Sequence, residues 1–266
     1  MATSASISVH PLPAFQDNYL WVIHDGRHAA VVDPGDAVPV IDYLQAHHLQ
    51  LVAIICTHHH ADHIGGVEPL LDHLQLQGKI PVYGPANERI PARTRALREG
   101  DQIVVPLLDL TFKILDVPGH TAGHIAYIGH GMLFCGDTLF ACGCGRLFEG
   151  TAEQMTASLT KLKNLPAQTK VFCAHEYTMA NIAFAEAVEP TNADLKLRKA
   201  FSAAKRQRNL PTVPSTIQLE LATNPFLRWD QPAVQAAAAR RLNRDIGPAP
   251  PPALVFGAIR EWKNNF

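Results

Sequence analysis

The stretch Thr57-His58-His59-His60-Ala61-Asp62-His63 constrains this chain more than any other. It sets four imidazoles and a carboxylate within seven residues, directly after an apolar run, 51–56, that reads as a buried strand. Alternate side chains of an extended segment point the same way, so His58 and His60 can converge on one ion while His59 points elsewhere. Asp62 and His63 follow as the chain turns into a helix, and Gly65-Gly66 lets that backbone fold tightly. Ligands placed at a strand end ask for a fold that brings several strand ends to one sheet edge.

Three further residues share this grammar of a polar ligand directly after a strand: His120 after 110–117, Asp137 after 132–135 and His175 after 170–174. His124 stands close by, but Pro118-Gly119-His120-Thr121 places His120 at the turn. The expected centre holds two divalent ions. One takes His58, His60 and His120, the other takes Asp62, His63 and His175, and Asp137 bridges both with its two oxygens. Imidazole and carboxylate together suit zinc first, and iron or manganese as well. Two such ions against two carboxylates and a shared hydroxide leave about one positive charge, placed to stabilise an oxyanion. Asp33, in Asp33-Pro34-Gly35, reads equally as a turn residue or as support behind the ligands.

A formal net charge of -1 over 266 residues argues against a nucleic-acid-binding protein. The charge is uneven, with 11 basic and 16 acidic side chains in residues 1–175 and 12 and 8 in residues 176–266. A basic C-terminal part suits an anionic small-molecule substrate, and solvated helix faces account for it almost as well. Five cysteines do not form a disulfide framework: Cys56, Cys135 and Cys173 sit in apolar runs, and the Cys142-Gly143-Cys144 pair has no second pair to share a metal with. No run approaches the roughly 20 apolar residues of a membrane span, and no secretory signal leads the chain, so a cytoplasmic protein is expected; it is taken as a monomer.

Residues 7–32 alternate apolar runs with turn signals, and Asp25-Gly26 and His130-Gly131 mark hairpins. Helices are expected over 36–48, from 67 to about 78, and around Met155, Leu159 and Leu162; strands are expected over 80–83, 103–108, 110–117 and 170–174. Residues 85–100 show no clean period, and 136–150, with four glycines, read as loop. Beyond His175 the pattern turns helical, over 178–188, 193–208, 232–243 and 253–264, with 216–221 the one extended piece. A domain boundary near residue 175 follows.

The ligand pattern resembles the metallo-β-lactamase superfamily, which implies an α+β fold, a four-layer αββα sandwich with the metals at one edge, followed here by a smaller α-helical domain. Residues 1–175 would be the catalytic domain and 176–266 a helical substrate-binding domain. Phe15-Gln16-Asp17-Asn18-Tyr19, Gly136-Asp137-Thr138-Leu139-Phe140, the segment Gly143-Cys144-Gly145-Arg146-Leu147-Phe148-Glu149-Gly150, His175-Glu176-Tyr177-Thr178 and Thr223-Asn224-Pro225-Phe226 are similar to glyoxalase II, the hydroxyacylglutathione hydrolase family. That resemblance covers nearly the whole chain. It implies hydrolysis of S-D-lactoylglutathione, with the glutathione part held by Arg146, Tyr177, Arg260 and Lys263. Arg260 and Lys263 stand three apart on the expected last helix and share a face. Animal members carry Lys where Arg146 stands and Tyr where Phe148 stands; Phe148 cannot donate a hydrogen bond.

The expected chemistry is attack of a metal-bridging hydroxide on the thioester carbonyl, with Asp62 and Asp137 placing ions and nucleophile. Three rivals remain: a mononuclear-iron sulfur dioxygenase of the same superfamily, a β-lactamase, which would normally carry an export signal, and a non-catalytic metal- or glutathione-binding protein.

Overall fold

β1 (Ser8–Ala14), β2 (Asn18–His24) and β3 (His28–Val32) open the chain as an antiparallel meander. The computed structural model describes residues 6–266, so residues 1–5, where the absence of a leading signal was partly read, lie outside the described residues. The β2–β3 connection falls at Asp25-Gly26, where Gly26 takes φ +91°. α1 (Ala37–Ala46) then crosses to β4 (Gln50–Ile55), and α2 (Ala61–Ile64) with α3 (Val67–His73) crosses to β5 (Val82–Pro85). β6 (Arg95–Leu97) closes a sheet of order β1-β2-β3-β4-β5-β6, parallel from β3 onward. Parallel neighbours need crossovers, and the two helical connections supply them. Asp36 starts α1 by accepting from Val38 N–H, and the helix buries Ala37, Val40 and Leu44 in the same core as α3. Each such fully buried aliphatic side chain contributes roughly 1.5–3 kcal/mol.

β7 (Gln102–Val105), β8 (Leu110–Asp116), β9 (Ile125–Gly129) and β10 (Met132–Gly136) run antiparallel in the order β10-β9-β8-β7. β9 and β10 meet at His130-Gly131, both at positive φ, as a two-residue hairpin turn requires. The two sets of strands are bonded to each other: Tyr127 Oη donates to Cys56 O at 2.8 Å, and Tyr83 Oη to Val104 O at 3.1 Å. These elements form one compact unit, the chain up to Asp116 together with Gly123–Gly136.

The second unit takes Val117–Ala122 and Asp137–Phe266. It holds the pair β11 (Leu139–Phe140) and β12 (Gly143–Cys144), then α4 (Ala152–Lys163), β13 (Lys170–Cys173), α5 (Thr178–Val188), α6 (Ala193–Gln207), β14 (Ser215–Thr216), α7 (Ile217–Thr223), α8 (Pro232–Leu242) and α9 (Pro252–Asn264). α4 begins with a capping box, Thr151 and Gln154 each closing on the other's backbone. No described helix is long and apolar enough to cross a membrane.

The C-terminal helices fall where the periodicity sets them. The extended piece expected at 216–221 is instead the end of β14 and the helix α7. Thr216 caps that helix by accepting from Leu219 N–H, and Glu220 turns inward to a buried pair with Arg198 at 2.5 Å. The glycine-rich 136–150 loop contains the β11–β12 hairpin, and the aperiodic 85–100 stretch contains β6.

Candidate metal and substrate site

Every residue of β4 but Gln50 is buried, so the strand ends against packed core and the segment after it is held at its base. Thr57 and His58 bend away from the line of the strand, and His60, at φ -64°, ψ 144°, is the extended residue that starts α2. His58 Nε2 lies 3.1 Å from His60 Nδ1, whereas His59 turns away to Glu88, 3.0 Å from its Oε2. One turn on, His63 Nε2 faces Asp62 Oδ2 at 3.6 Å.

Asp33, which the sequence leaves open between turn and support, and Asn18, to which it gives no separate role, fix these side chains. Asp33, buried and at φ +50°, accepts Thr57 N–H at 2.7 Å and Thr57 Oγ1–H at 2.7 Å, and its Oδ2 lies 3.0 Å from His63 Nδ1. It therefore serves the turn and the histidine together. Thr57 Oγ1 in turn lies 3.1 Å from His58 Nδ1. The Asn18 amide donates to Asp62 Oδ2 at 2.9 Å. Outer partners of this kind fix ring orientation and tautomer. Two glycines permit the crowding: a Cβ on Gly35 would lie 1.8 Å from Asp62 O, and one on Gly136, at φ +45°, would lie 2.3 Å from Thr57 Oγ1. His124 stacks on the face of His58, with centroids 4.5 Å apart and planes 19° apart.

In the second unit Asp137 sits between two imidazoles. His120 Nε2 is 3.4 Å from its Oδ2, and His175 Nε2 is 3.3 Å from its Oδ1. The far nitrogen of His120, Nδ1, lies 3.0 Å from Arg146 O. Gly145 makes this possible, because a Cβ there would stand 2.0 Å from Asp137 O.

These spacings test whether the donors suit a metal. Two ligands about 2.05 Å from a tetrahedral ion lie about 3.3 Å apart. The observed separations of 3.1, 3.4, 3.3 and 3.6 Å cluster there. All four are longer than the 2.7–2.9 Å typical of a charge-assisted hydrogen bond. Nitrogen and carboxylate donors, with no thiolate among them, suit a borderline or hard divalent cation. Cys142 and Cys144 are buried, and burial pushes their thiols up to about 12 and about 11, so that pair stays protonated.

The residues named for substrate lie in the same unit as Asp137. Tyr177 stacks flat on His175, 4.7 Å between centroids and 4° between planes, with Phe140 edge-on at 5.2 Å. Phe148, exposed, sets its ring against His120 at 5.2 Å. Arg260 is buried, donates from Nη1 to Cys144 O at 2.9 Å, and covers the Phe226 ring. Lys263 donates to Ala180 O at 3.2 Å. Burial, then Arg260 and Arg146, pull Lys263 down to about 8, with Cys144 opposing. Lys263 thus lies near enough to Arg146 and Arg260 to be repelled by both, an arrangement that an anion relieves.

Comparison with known proteins gives two family matches: "Metallo-beta-lactamase superfamily" over residues 14–175 and "Hydroxyacylglutathione hydrolase C-terminus" over residues 176–266. A curated hydroxyacylglutathione hydrolase of Cupriavidus taiwanensis is 55% identical over 98% of this chain and 99% of its own. That of Nitrosomonas eutropha is 53% identical over 98% and 99%. Among solved structures, TTHA1623 in a di-iron-bound form aligns at a TM-score of 0.57 and 26% identity, over 83% of this chain and all of its own. The α+β arrangement described above is the metallo-β-lactamase fold, and its histidine and aspartate clusters bind divalent metal.

Proposed function

Because the chain belongs to the hydroxyacylglutathione hydrolase family of the metallo-β-lactamase superfamily, we propose that it hydrolyses S-(2-hydroxyacyl)glutathione thioesters. The chief substrate in this reading is S-D-lactoylglutathione, cleaved to glutathione and D-lactate in methylglyoxal detoxification. One observation carries the binuclear chemistry: each oxygen of Asp137 faces a different imidazole, at 3.4 and 3.3 Å. A carboxylate so placed is suited to span two ions rather than to cap one.

His58, His60 and His120 are then the ligands of one ion, Asp62, His63 and His175 those of the other, with Asp137 common to both. Zinc is the expected occupant, and iron or manganese suit the same donors; the di-iron-bound relative supports that breadth. When bound, such ions polarise a carbonyl and make water a nucleophile at neutral pH. The chain's own part is placement. Asn18 holds the Asp62 carboxylate, and Asp33 holds the His63 ring and, through Thr57, the segment that carries His58. Arg146, Tyr177, Arg260 and Lys263 hold the glutathione part, and Phe148 offers it an apolar face. The leaving thiol has a pKa of about 8.5, so it departs as thiolate without a dedicated proton donor.

Residues 1–175 act in this reading as the catalytic domain and 176–266 as the substrate-binding domain, in a cytoplasmic monomer. The described cysteines are all free and buried, which suits a reducing compartment. The test is loss of thioester absorbance on metal-analysed protein, with other acyl-glutathiones alongside and oxygen uptake followed. Turnover with two ions per chain and no oxygen consumed is expected. Oxygen consumption with a single iron would instead make it a sulfur dioxygenase, and binding without turnover a carrier.

A further inference from the structure

The β11–β12 hairpin is two residues long on each side, too short to keep its own shape, yet both of its ends matter. Asp137 lies two residues before it and Arg146 two residues after it. Gly145 N–H returns to Thr138 O at 3.2 Å, and Arg146 O meets His120 Nδ1 at 3.0 Å. A shift of the hairpin therefore moves the bridging carboxylate and the His120 ring together.

Side chains from the C-terminal helices hold the hairpin carbonyl by carbonyl. Asn224 is fully buried; its Nδ2 donates to Phe140 O at 3.2 Å, to Gly143 O at 2.9 Å and to Glu220 Oε2 at 3.0 Å. Its Oδ1 accepts Phe226 N–H at 3.0 Å, which fixes which end of the amide faces the hairpin. Glu220, also fully buried, accepts Cys142 N–H at 2.9 Å. Its charge is matched by Arg198, which also donates to Thr223 and Ser215. Asn181 donates to Ala141 O at 3.0 Å, and Arg260 to Cys144 O at 2.9 Å.

We propose that Asn224, backed by Glu220, is a positioning residue for catalysis: its amide sets the β11–β12 hairpin and through it Asp137 and His120. The proposal rests on reading Asp137 and His120 as metal ligands of a hydrolase. Misplacement by about 1 Å can cost on the order of 100-fold in rate, so the effect belongs in kcat and in the metal's ligand geometry.

The experiment compares Asn224→Ala, Asn224→Ser and Val234→Ala with the parent protein. Val234 is fully buried on α8 and takes no part in the hairpin, so it serves as a destabilised control. Each protein is loaded with cobalt(II) and its visible spectrum, cobalt affinity, Tm and kcat are recorded. Asn224→Ala should lower kcat by roughly 10- to 100-fold and shift the cobalt band. Asn224→Ser, which keeps one donor, should recover part of both; Val234→Ala should lose Tm while keeping spectrum and kcat. An Asn224→Ala protein that loses Tm like the control but keeps its kcat and its cobalt band overturns the proposal. Should Asn224→Ala fail to fold, Asn224→Ser decides by the same two readouts. If the parent proves inactive on S-D-lactoylglutathione, the hydrolase reading fails, and the cobalt spectra still decide the hairpin's role.

Discussion

Lys263 is the residue whose titration bears most directly on substrate. Burial and the neighbouring guanidinium groups of Arg260 and Arg146 bring it down to about 8. Below that pH it is an ammonium, which in the proposed role would attract the carboxylates of glutathione; above it the charge is gone while the arginines keep theirs. KM for the glutathione thioester should therefore be level below pH 8 and rise roughly fivefold above it, the equivalent of about 1 kcal/mol for a part-exposed ion pair. The kcat should stay level, as loss of uniform binding requires. Lys263→Met should show the higher KM at every pH, and a parent profile flat through pH 9 would remove Lys263 from the substrate site. At this scale the sequence was legible wherever ligands are neighbours in the chain. His58 and His60 do come together with His59 turned away, although the chain bends at Thr57 and His58 instead of continuing as a strand. Asp33 was legible only as one of two equal readings, turn or support, and it fills both; Asn18 was not legible as a support, because it acts on a residue far along the chain.

Elements raise a different question, what becomes of polar side chains packed between them. Tyr43 on α1 stacks with His10 of β1 at 4.7 Å and with His47 at 4.2 Å, and its hydroxyl lies 3.3 Å from His24 Nε2 of β2. Gly26 N–H donates to His24 Nδ1 at 3.2 Å, so that nitrogen carries no proton in the folded chain. Burial lowers both His10 and His24 below 6.5, aided for His10 by His24 and His47 and for His24 by His47, with Asp25 opposing. The folded chain thus holds these protons less tightly than the unfolded chain. As pH falls through 6.5 the unfolded state takes up protons that the folded state does not, and stability declines. It levels off below the lowered values of the folded state. Denaturant midpoints should drop between pH 6.5 and 5, and His10→Phe, which keeps the ring on Tyr43, should show a shallower drop. Equal slopes would exclude His10 as a cause. The elements themselves were legible where a period ran long enough, as in α5, α6, α8 and α9. In α7 the alternation of Ile217, Leu219 and Leu221 mimics a strand. The Thr216 cap and the buried Glu220–Arg198 pair, a tertiary contact, decide for helix. β11 and β12 are too short to leave any pattern and are set by Asn224, Asn181 and Arg260.

For the whole molecule, the proposed ligands run from residue 58 to residue 175, so the ions would tie together segments that are independent in the unfolded chain. Several of the side chains involved, His58, His63, His120 and His175, are buried. Without a cation these imidazoles keep only neighbours such as Thr57, Asp33, Asp137 and the Arg146 carbonyl, which is weaker than coordination. A ligand that binds only the folded state stabilises it by about 2.7 kcal/mol at 100 times its Kd. For a chain of this size that corresponds to a Tm difference of about 5–10 °C. Stripping with a chelator should lower Tm by that amount, zinc should restore it, and iron or manganese should restore part of it. The helices α8 and α9 pack against each other and hold no proposed ligand, so far-UV circular dichroism at 25 °C should change little on stripping. His63→Ala should shrink the difference between stripped and loaded protein, because it removes a proposed ligand while Asp33 keeps its bonds to Thr57. A chelator-treated protein with the same Tm as the loaded one would mean that the imidazole and carboxylate cluster is held by its own hydrogen bonds, and the two-ion reading would fall with it.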